Sequence, residues 1–468
     1  MFAKFDMRLI LGIWLAVAAL VALVRWRRRA DGVGLVLTYL IMLVMNFWLP
    51  TMLYLLPWYW GVFDSSLVQV GFQESLYGVI GFAVGTLLLW PLLRRFGPLR
   101  SWVDRPRARA DGGADPRLAK LLIALGLVSY FVVTPLGARV PTLSALVGVL
   151  PNLLLVGLAL LCWEAWQRGR TGIMVGWLLI AAIWPLITVA TSGFLGAGVA
   201  FFVTLLAFVF QFMGFRLRLV LVALLFFYAG LSVYVTYMQA RSDIRSVVWS
   251  EEASLDERAE VIATGAKGFE WFDPLDRNHL YWLDMRMNQS YLVGAAMYQI
   301  GVGNASYALG DTLWDAVVML VPRAIWRDKP IEVGGSDRVT AYTGISFYGS
   351  TSVGMSQVLE FYVNFGTIGV TAGFALLGCL LALMDEVAAR HLWHGDSRRF
   401  VLWFFPALSL LRPDNDLFIL IAGWVAGLVA IIIVNRLADA VLGVAASRGA
   451  EANPQTPTGY GSSSTMYR

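Results

Sequence analysis

Residues 143–162 read LSALVGVLPNLLLVGLALLC, twenty positions without a charged side chain. In a helix, twenty apolar residues cover about 30 Å, the hydrocarbon thickness of a bilayer. Such a run is a membrane span. Working outward, comparable runs lie near 118–136 and 173–190, then near 9–24, 34–56, 73–93, 197–214, 219–238, 362–384, 399–411 and 417–434. That makes eleven, the tenth being short. The chain of 468 residues is 58% hydrophobic and only 14% charged. Soluble proteins carry roughly 25% charged residues, so lipid must be the solvent for most of this chain. The composition excludes a soluble enzyme and a secreted domain. Trp58, Trp60, Trp90, Trp163 and Trp166 stand near run ends, as in an interfacial aromatic belt.

The loops sort by charge. Segments 25–29, 94–120, 168–170, 216–218, 390–399 and 436–468 hold 22 of the 36 Lys and Arg and alternate with nearly uncharged loops. The positive-inside rule puts the basic set in the cytoplasm, the amino terminus outside and the carboxyl terminus inside. Arg25, Arg27, Arg28 and Arg29 follow the first run instead of preceding it, so that run is read as a retained helix and not a cleavable signal. Because the net charge of +5 sits in short loops, the expected partners are membrane lipids and not nucleic acid. Cys162 and Cys379 fall at apolar runs and offer neither a disulfide framework nor a metal site. The expected fold is all-α, a polytopic helix bundle of the bacterial inner membrane. It divides into a bundle of eight helices over 1–238, a periplasmic loop with amphipathic helices over 239–357, further transmembrane helices over 358–436, and a largely disordered cytoplasmic tail over 437–468.

The 239–357 loop lacks a spanning run and carries ten Lys or Arg and fifteen Asp or Glu. Its most apolar piece, from Leu313 to Trp326, is too short to cross. It reads as an amphipathic or re-entrant segment with Leu309, Leu313 and Val317 on one face. The cytoplasmic side shows no Gly-rich phosphate loop, so any chemistry belongs outside, on a substrate already energised and membrane-bound. The loop's sharpest feature is VPRAIWRDKP over 321–330. Arg323, Arg327 and Lys329 crowd beside an apolar run, and arginine forks with a lysine point charge suit phosphate oxygens. Such a turn suits the pyrophosphate of a lipid carrier. The plain alternative is a surface turn that snorkels its arginines and pairs Asp328 with a neighbour.

This string resembles the "PR-x-(L/I)-W-x-DKP" element of bacterial O-antigen and exopolysaccharide polymerases, the Wzy-type oligosaccharide repeat-unit polymerases. Glu360-Phe361-Tyr362-Val363-Asn364-Phe365-Gly366 is similar to that family's "E-x-Y-x-N-F-G" element, in the expected order. The resemblance implies a multi-helix fold like that of O-antigen ligases and polymerases. It also implies transfer of a growing glycan from undecaprenyl pyrophosphate to a lipid-linked repeat unit, with Tyr362 and Asn364 at the substrate. A chain-length regulator and a flippase are the implied protein partners. The nearest alternative activity is that of an O-antigen ligase; a flippase or other transporter is the alternative of a different class, and would call for repeated halves and polar groups at the midplane.

The remaining candidates come from the residues themselves. Glu360 stands where an apolar stretch meets the outer interface, as a general base or as an interfacial acid capping a helix. The run over 400–411 covers only about 18 Å and stops at Arg412-Pro413-Asp414-Asn415-Asp416, so that charged turn is expected below the outer surface, with Arg412 lining the same cavity as Arg323. Asp414 and Asp416 form a D-x-D pair, but Arg412 beside them argues against a cation, and neither metal nor cofactor is expected. Arg241 and Arg245 share a helix face if the eighth span continues, as a second phosphate clamp. Arg286 and Arg338 complete the outer cations, whereas Arg258 and Arg277 are expected to pair with acids. His279 is the outer loop's lone histidine, and no charge is expected deep in the first eight spans.

Overall fold

The computed structural model describes residues 6–97, 115–137, 144–214, 217–250, 254–321, 326, 335–347 and 353–451. Among them the regular structure is all helical, and ten helices are long and apolar enough to cross a membrane. They are Met7–Arg27, Leu35–Leu55, Ser65–Leu93, Pro116–Gly137, Ser144–Gln167, Thr171–Ser192, Leu195–Met213, Val220–Val248, Gln357–Trp393 and Leu417–Ala440. Each matches a run read from the sequence. The remaining run, the short tenth near 399–411, is the helix Ser397–Ala407 prolonged by a tighter turn to Leu411. Several spans bend where proline dictates. Single wide turns at Val44–Trp48, Gly85–Leu89 and Ser129–Val133 each end two residues before Pro50, Pro91 or Pro135. A proline ring displaces the carbonyl four residues back, so the ladder slips to the next acceptor.

The bundle has a basic end and a loop end. At the basic end, Arg25 pairs at 2.8 Å with Asp385, whose other oxygen accepts the Val33 and Leu35 amides at 2.9 Å. Asp385 thereby caps the helix that begins after Gly34. Met7 lies at the far end of its helix, and Asp439 pairs with Arg398 back at the basic end. The first and last described helices therefore leave the amino and carboxyl sides of the chain at opposite ends of the bundle.

Ser65–Leu93 is the central post. Its basic-end half packs side by side with the Gln357–Trp393 helix through Gly81 and Gly85, where any side chain would strike the Thr371 or Ala375 carbonyl. Small residues at helical spacing let two backbones approach this closely. Its loop-end half packs on Gln289–Gly301, Gly71 against Ser290 and Gly294 against Leu67. The long loop is thus partly sunk into the bundle. It comprises helices Leu255–Lys267, Arg277–Met287, Gln289–Gly301, Asp311–Met319 and Gly335–Thr343. The expected face of Leu309, Leu313 and Val317 does not form. Leu309 precedes the helix at φ 48° and is exposed, as is Val317, while Thr312 and Ala316 are the buried pair. Gly310, at φ 105°, starts the helix at Asp311, two residues later than the apolar pattern implies.

Two other expectations change. The eighth helix runs past 238 as far as Val248, and the last continues to Glu451, into the segment 437–468 read as a largely disordered tail, of which 452–468 lie outside the described residues. Glu74 lies nine residues inside the Ser65–Leu93 helix, 4% exposed, contrary to the expectation of no charge deep in the early spans.

Candidate functional site

The motif around Glu360 builds a fold-back. The Gln357–Trp393 helix breaks at Phe365 and Gly366, the latter at φ 62° and ψ −155°, a conformation open essentially to glycine alone. Phe361 then lies against Gly369 and Gly373. On a straight helix those residues would stand about 12 and 18 Å away. The short arm Gln357–Asn364 therefore turns back into the bundle beside its own continuation. Asn364 locks the turn. Its amide donates to the Glu360 carbonyl and to Thr312 Oγ1, both at 2.7 Å, and its oxygen accepts the Gly310 amide at 2.9 Å. Tyr362 is buried with its ring 6.2 Å from that of Tyr307. Thr367, just past the break, donates to Glu74 at 2.9 Å.

The fold-back carries Gln357 down to the Tyr39 hydroxyl, which donates to its side-chain oxygen. Tyr39 in turn stacks at 5.0 Å on Phe82, in the middle of the central post. Gln357 also donates from Nε2 to the Arg412 carbonyl at 3.1 Å and from its backbone to the Pro413 carbonyl at 3.0 Å. The turn Arg412–Asp416 is thus level with the interior of the post. It is the tip of a hairpin with both arms at the basic end: Gly423 faces Ser409, Gly427 faces Pro406, and Asp439 reaches Arg398. This explains the short tenth run, because that arm climbs only partway through the bundle.

Glu360 is fully buried, and its Oε2 accepts the Leu417 amide at 2.7 Å. Leu417 opens the hairpin's second arm, whose own Asp416 instead accepts the Met355 amide at 2.9 Å. Glu360 therefore satisfies the first free amide of that arm from across the fold. The geometry favours this holding role over contact with a substrate.

Arg412 grips Asp414 with two nitrogens, at 2.7 and 3.4 Å. It lines two cavities, one on each face of the Leu195–Met213 helix. The first, of about 590 Å³, is walled by Phe202, Phe226, Phe227, Tyr234 and Met287, and also reaches Asp414. The second, of about 600 Å³, is walled by Tyr130, Trp184, Phe201, Asn415 and Phe418.

Three further arginines gather near the first. Arg241 and Arg245 lie on one continuous helix, as the sequence suggested. Arg245 is held by the Gly193 carbonyl at 3.2 Å and sits between the rings of Phe194 and Trp249, 4.5 and 4.9 Å away. The turn over 192–196 is what positions it. Burial, and next the charge of Arg241, hold the Arg286 guanidinium below its usual range, and Arg286 in turn bears on Asp414. The Arg241 side chain makes no hydrogen bond or ion pair with the described residues and is half-buried. Of the charged members of this group, four are arginine and one is an acid.

Other candidates go elsewhere. Arg338 pairs with Asp315 at 2.9 Å and neighbours Glu360 and Asp416, on the opposite flank of the tip. His279 is buried, accepting the Asp273 amide at 2.9 Å and lying 3.0 Å from Glu270, a satisfied structural histidine. Arg277 lies over Trp60 at 4.9 Å. Arg323, Arg327 and Lys329 fall outside the described residues, so the shared cavity of Arg323 and Arg412 is an expectation the structure does not address. Sequence reading missed Asp284, which is fully buried. It accepts from Tyr54 at 2.8 Å, Tyr59 at 2.7 Å, the Val62 amide at 2.9 Å and Asn288 at 2.7 Å, pinning the Arg277–Met287 helix to the turn that follows the second span.

Fold and site together define a polytopic helical protein of membrane-spanning type, with a broken helix and a charged hairpin tip in its interior. The chain belongs to the family described as Domain of unknown function (DUF8712), whose model matches residues 105–408 and so stops just short of Arg412. No curated protein and no solved structure matches it.

Proposed function

We propose that the protein is an inner-membrane glycan polymerase that moves a growing chain from a prenyl pyrophosphate carrier to a lipid-linked repeat unit on the non-cytoplasmic face. The observation that carries this reading is the meeting of two apolar cavities at one arginine, with Arg241, Arg245 and Arg286 beside the first of them. A reaction between two lipid-linked substrates requires two places for tails and one cationic centre for phosphate. Arginine forks hold pyrophosphate oxygens bidentately and stabilise the charge that develops as the carrier leaves. Asp414, the acid at the same cavity, faces the acceptor hydroxyl. The resemblance of the 321–330 and 360–366 segments to repeat-unit polymerases supports the same assignment. The concentration of Lys and Arg at the other end supports a cytoplasmic basic end, an outer amino terminus and an inner carboxyl terminus.

A second reading, export of a lipid-linked glycan, draws on the broken helix and buried polar tip, since transporters place discontinuous helices at their binding sites. Deleting the gene and analysing the surface glycan separates the two. Loss of polymerase leaves single capped repeats, loss of a ligase leaves full-length chains on the carrier, and loss of an exporter strands repeats inside. Single repeats restored to polymer by the wild-type gene, but not by Arg412→Gln, are the expected result. Unaltered polymer in the deletion strain overturns the proposal.

A further inference from the structure

The basic end holds a cavity of its own, of about 560 Å³, lined by Arg25, Arg28, Asp31, Trp90, Arg94, Arg95 and Glu386. Because the 357–364 arm folds back, Phe361 lies level with Gly373, and Glu386 stands 13 residues further along the helix, roughly 20 Å; the cavity shares no lining residue with the two at Arg412, so this is a site distinct from the hairpin tip.

Its floor is built and rigid. Glu386, 4% exposed, accepts the Trp90 indole N–H at 2.7 Å, Arg94 at 2.5 Å and Arg390 at 2.7 Å. Arg25, 6% exposed, gives one terminal nitrogen to Asp385 and to the Asp31 carbonyl, both at 2.8 Å. The buried acids here are committed to partners. The cations are not exhausted. Arg25 keeps a buried Nε–H without an acceptor among the described residues, and the guanidinium groups of Arg28 and Arg95 form no hydrogen bond or ion pair with any described residue. The cavity thus holds four guanidinium groups against two carboxylates, with donors to spare. Leu88, Leu92 and Leu93, on the turns that carry Trp90 and Arg94, are each at least 45% exposed and give the opening an apolar flank.

We propose that this cavity is a phosphate-binding site, its foremost occupant the head group of an anionic phospholipid. Arg28 and Arg95 close on the phosphate oxygens above the Arg25 and Trp90 floor, and the acyl chains run along Leu88 and Leu92. Paired guanidinium forks suit a tetrahedral anion with several acceptor oxygens better than a single carboxylate. The bound lipid would tie the Met7–Arg27 helix to the central post at the point where both leave the bundle.

The test uses the purified full-length protein and the double variant Arg28→Gln/Arg95→Gln, which removes exposed groups and spares every floor contact. Native mass spectrometry titrates dioleoyl phosphatidylglycerol in one arm and inorganic phosphate in the other. The wild type should retain phosphatidylglycerol, and the double variant should bind it about tenfold more weakly or less. Variant-sensitive binding of inorganic phosphate, without lipid retention, supports a phosphate site filled from solution. Equal retention by both proteins in both arms overturns the proposal. The readout is lipid and phosphate retention and not polymer, so failure here is distinguishable from failure of the polymerase assignment.

Discussion

Replacing Glu360 separates a holding carboxylate from a catalytic one. Its Oε2 accepts the Leu417 amide at 2.7 Å, and the group is fully buried. Glu360→Ala deletes the acceptor and leaves that amide buried and unpaired. A buried donor left unpaired costs about 1–3 kcal/mol and loss of a helix cap about 0.5–2 kcal/mol. These overlap here, so a loss of about 3 kcal/mol is expected, with the hairpin tip released. Glu360→Gln keeps an oxygen of the same reach and should cost under about 1 kcal/mol, within the range of modest substitutions. The assay pairs thermal unfolding in detergent with polymer formation in a complemented deletion strain. Glu360→Gln should unfold near the wild-type temperature and still make polymer, whereas Glu360→Ala should be unstable and inactive. General-base loss typically lowers a rate by about 10²–10⁴-fold. A Glu360→Gln protein that is abundant and stable yet makes no polymer would refute the holding role and restore Glu360 as a base.

Three further substitutions test the scaffold. Gly81→Val drives a side chain into the Thr371 carbonyl and should cost about 1–3 kcal/mol or more, read as a lower unfolding temperature in detergent. Gly366→Ala places a side chain at φ 62° and ψ −155°. It should cost about 1–3 kcal/mol and loosen the fold-back, read as faster hydrogen exchange over 357–364. Asp284→Ala strands two tyrosine hydroxyls, the Val62 amide and Asn288. At about 1–3 kcal/mol for each buried group left unpaired, protease cleavage within 254–287 should rise sharply.

The spans were legible because a helix in lipid must be continuous and apolar, and the sequence states this directly over stretches such as 143–162. The hairpin tip was legible for a related reason: a run as short as 400–411, ended by Arg412 and Asp414, cannot reach the far surface. Glu74 was not. The apolar run begins at 73, but the helix starts at Ser65, where Asp64 accepts the Ser66 amide at 2.7 Å. Its polar first turns are covered by Gln289–Gly301, a partner more than 200 residues away in sequence. The break at Phe365–Gly366 likewise looks, in one dimension, like a glycine tolerated within a span. The gathering of Arg241, Arg245 and Arg286 near Arg412 depends on the Gly193 carbonyl and on helix packing, and no local pattern encodes either. Arg338 shows the converse. A cation in the expected loop found a nearby acid, Asp315, and joined the other flank of the tip.

Direct binding of a prenyl pyrophosphate-linked sugar to the purified protein, compared with Arg241→Gln/Arg412→Gln, tests the cationic centre most directly. The wild type should bind. Each lost arginine contact to phosphate is worth about 1.5–3 kcal/mol, so the double variant should bind at least about a hundredfold more weakly. Binding that is absent in the wild type, or undiminished in the variant, would contradict the account.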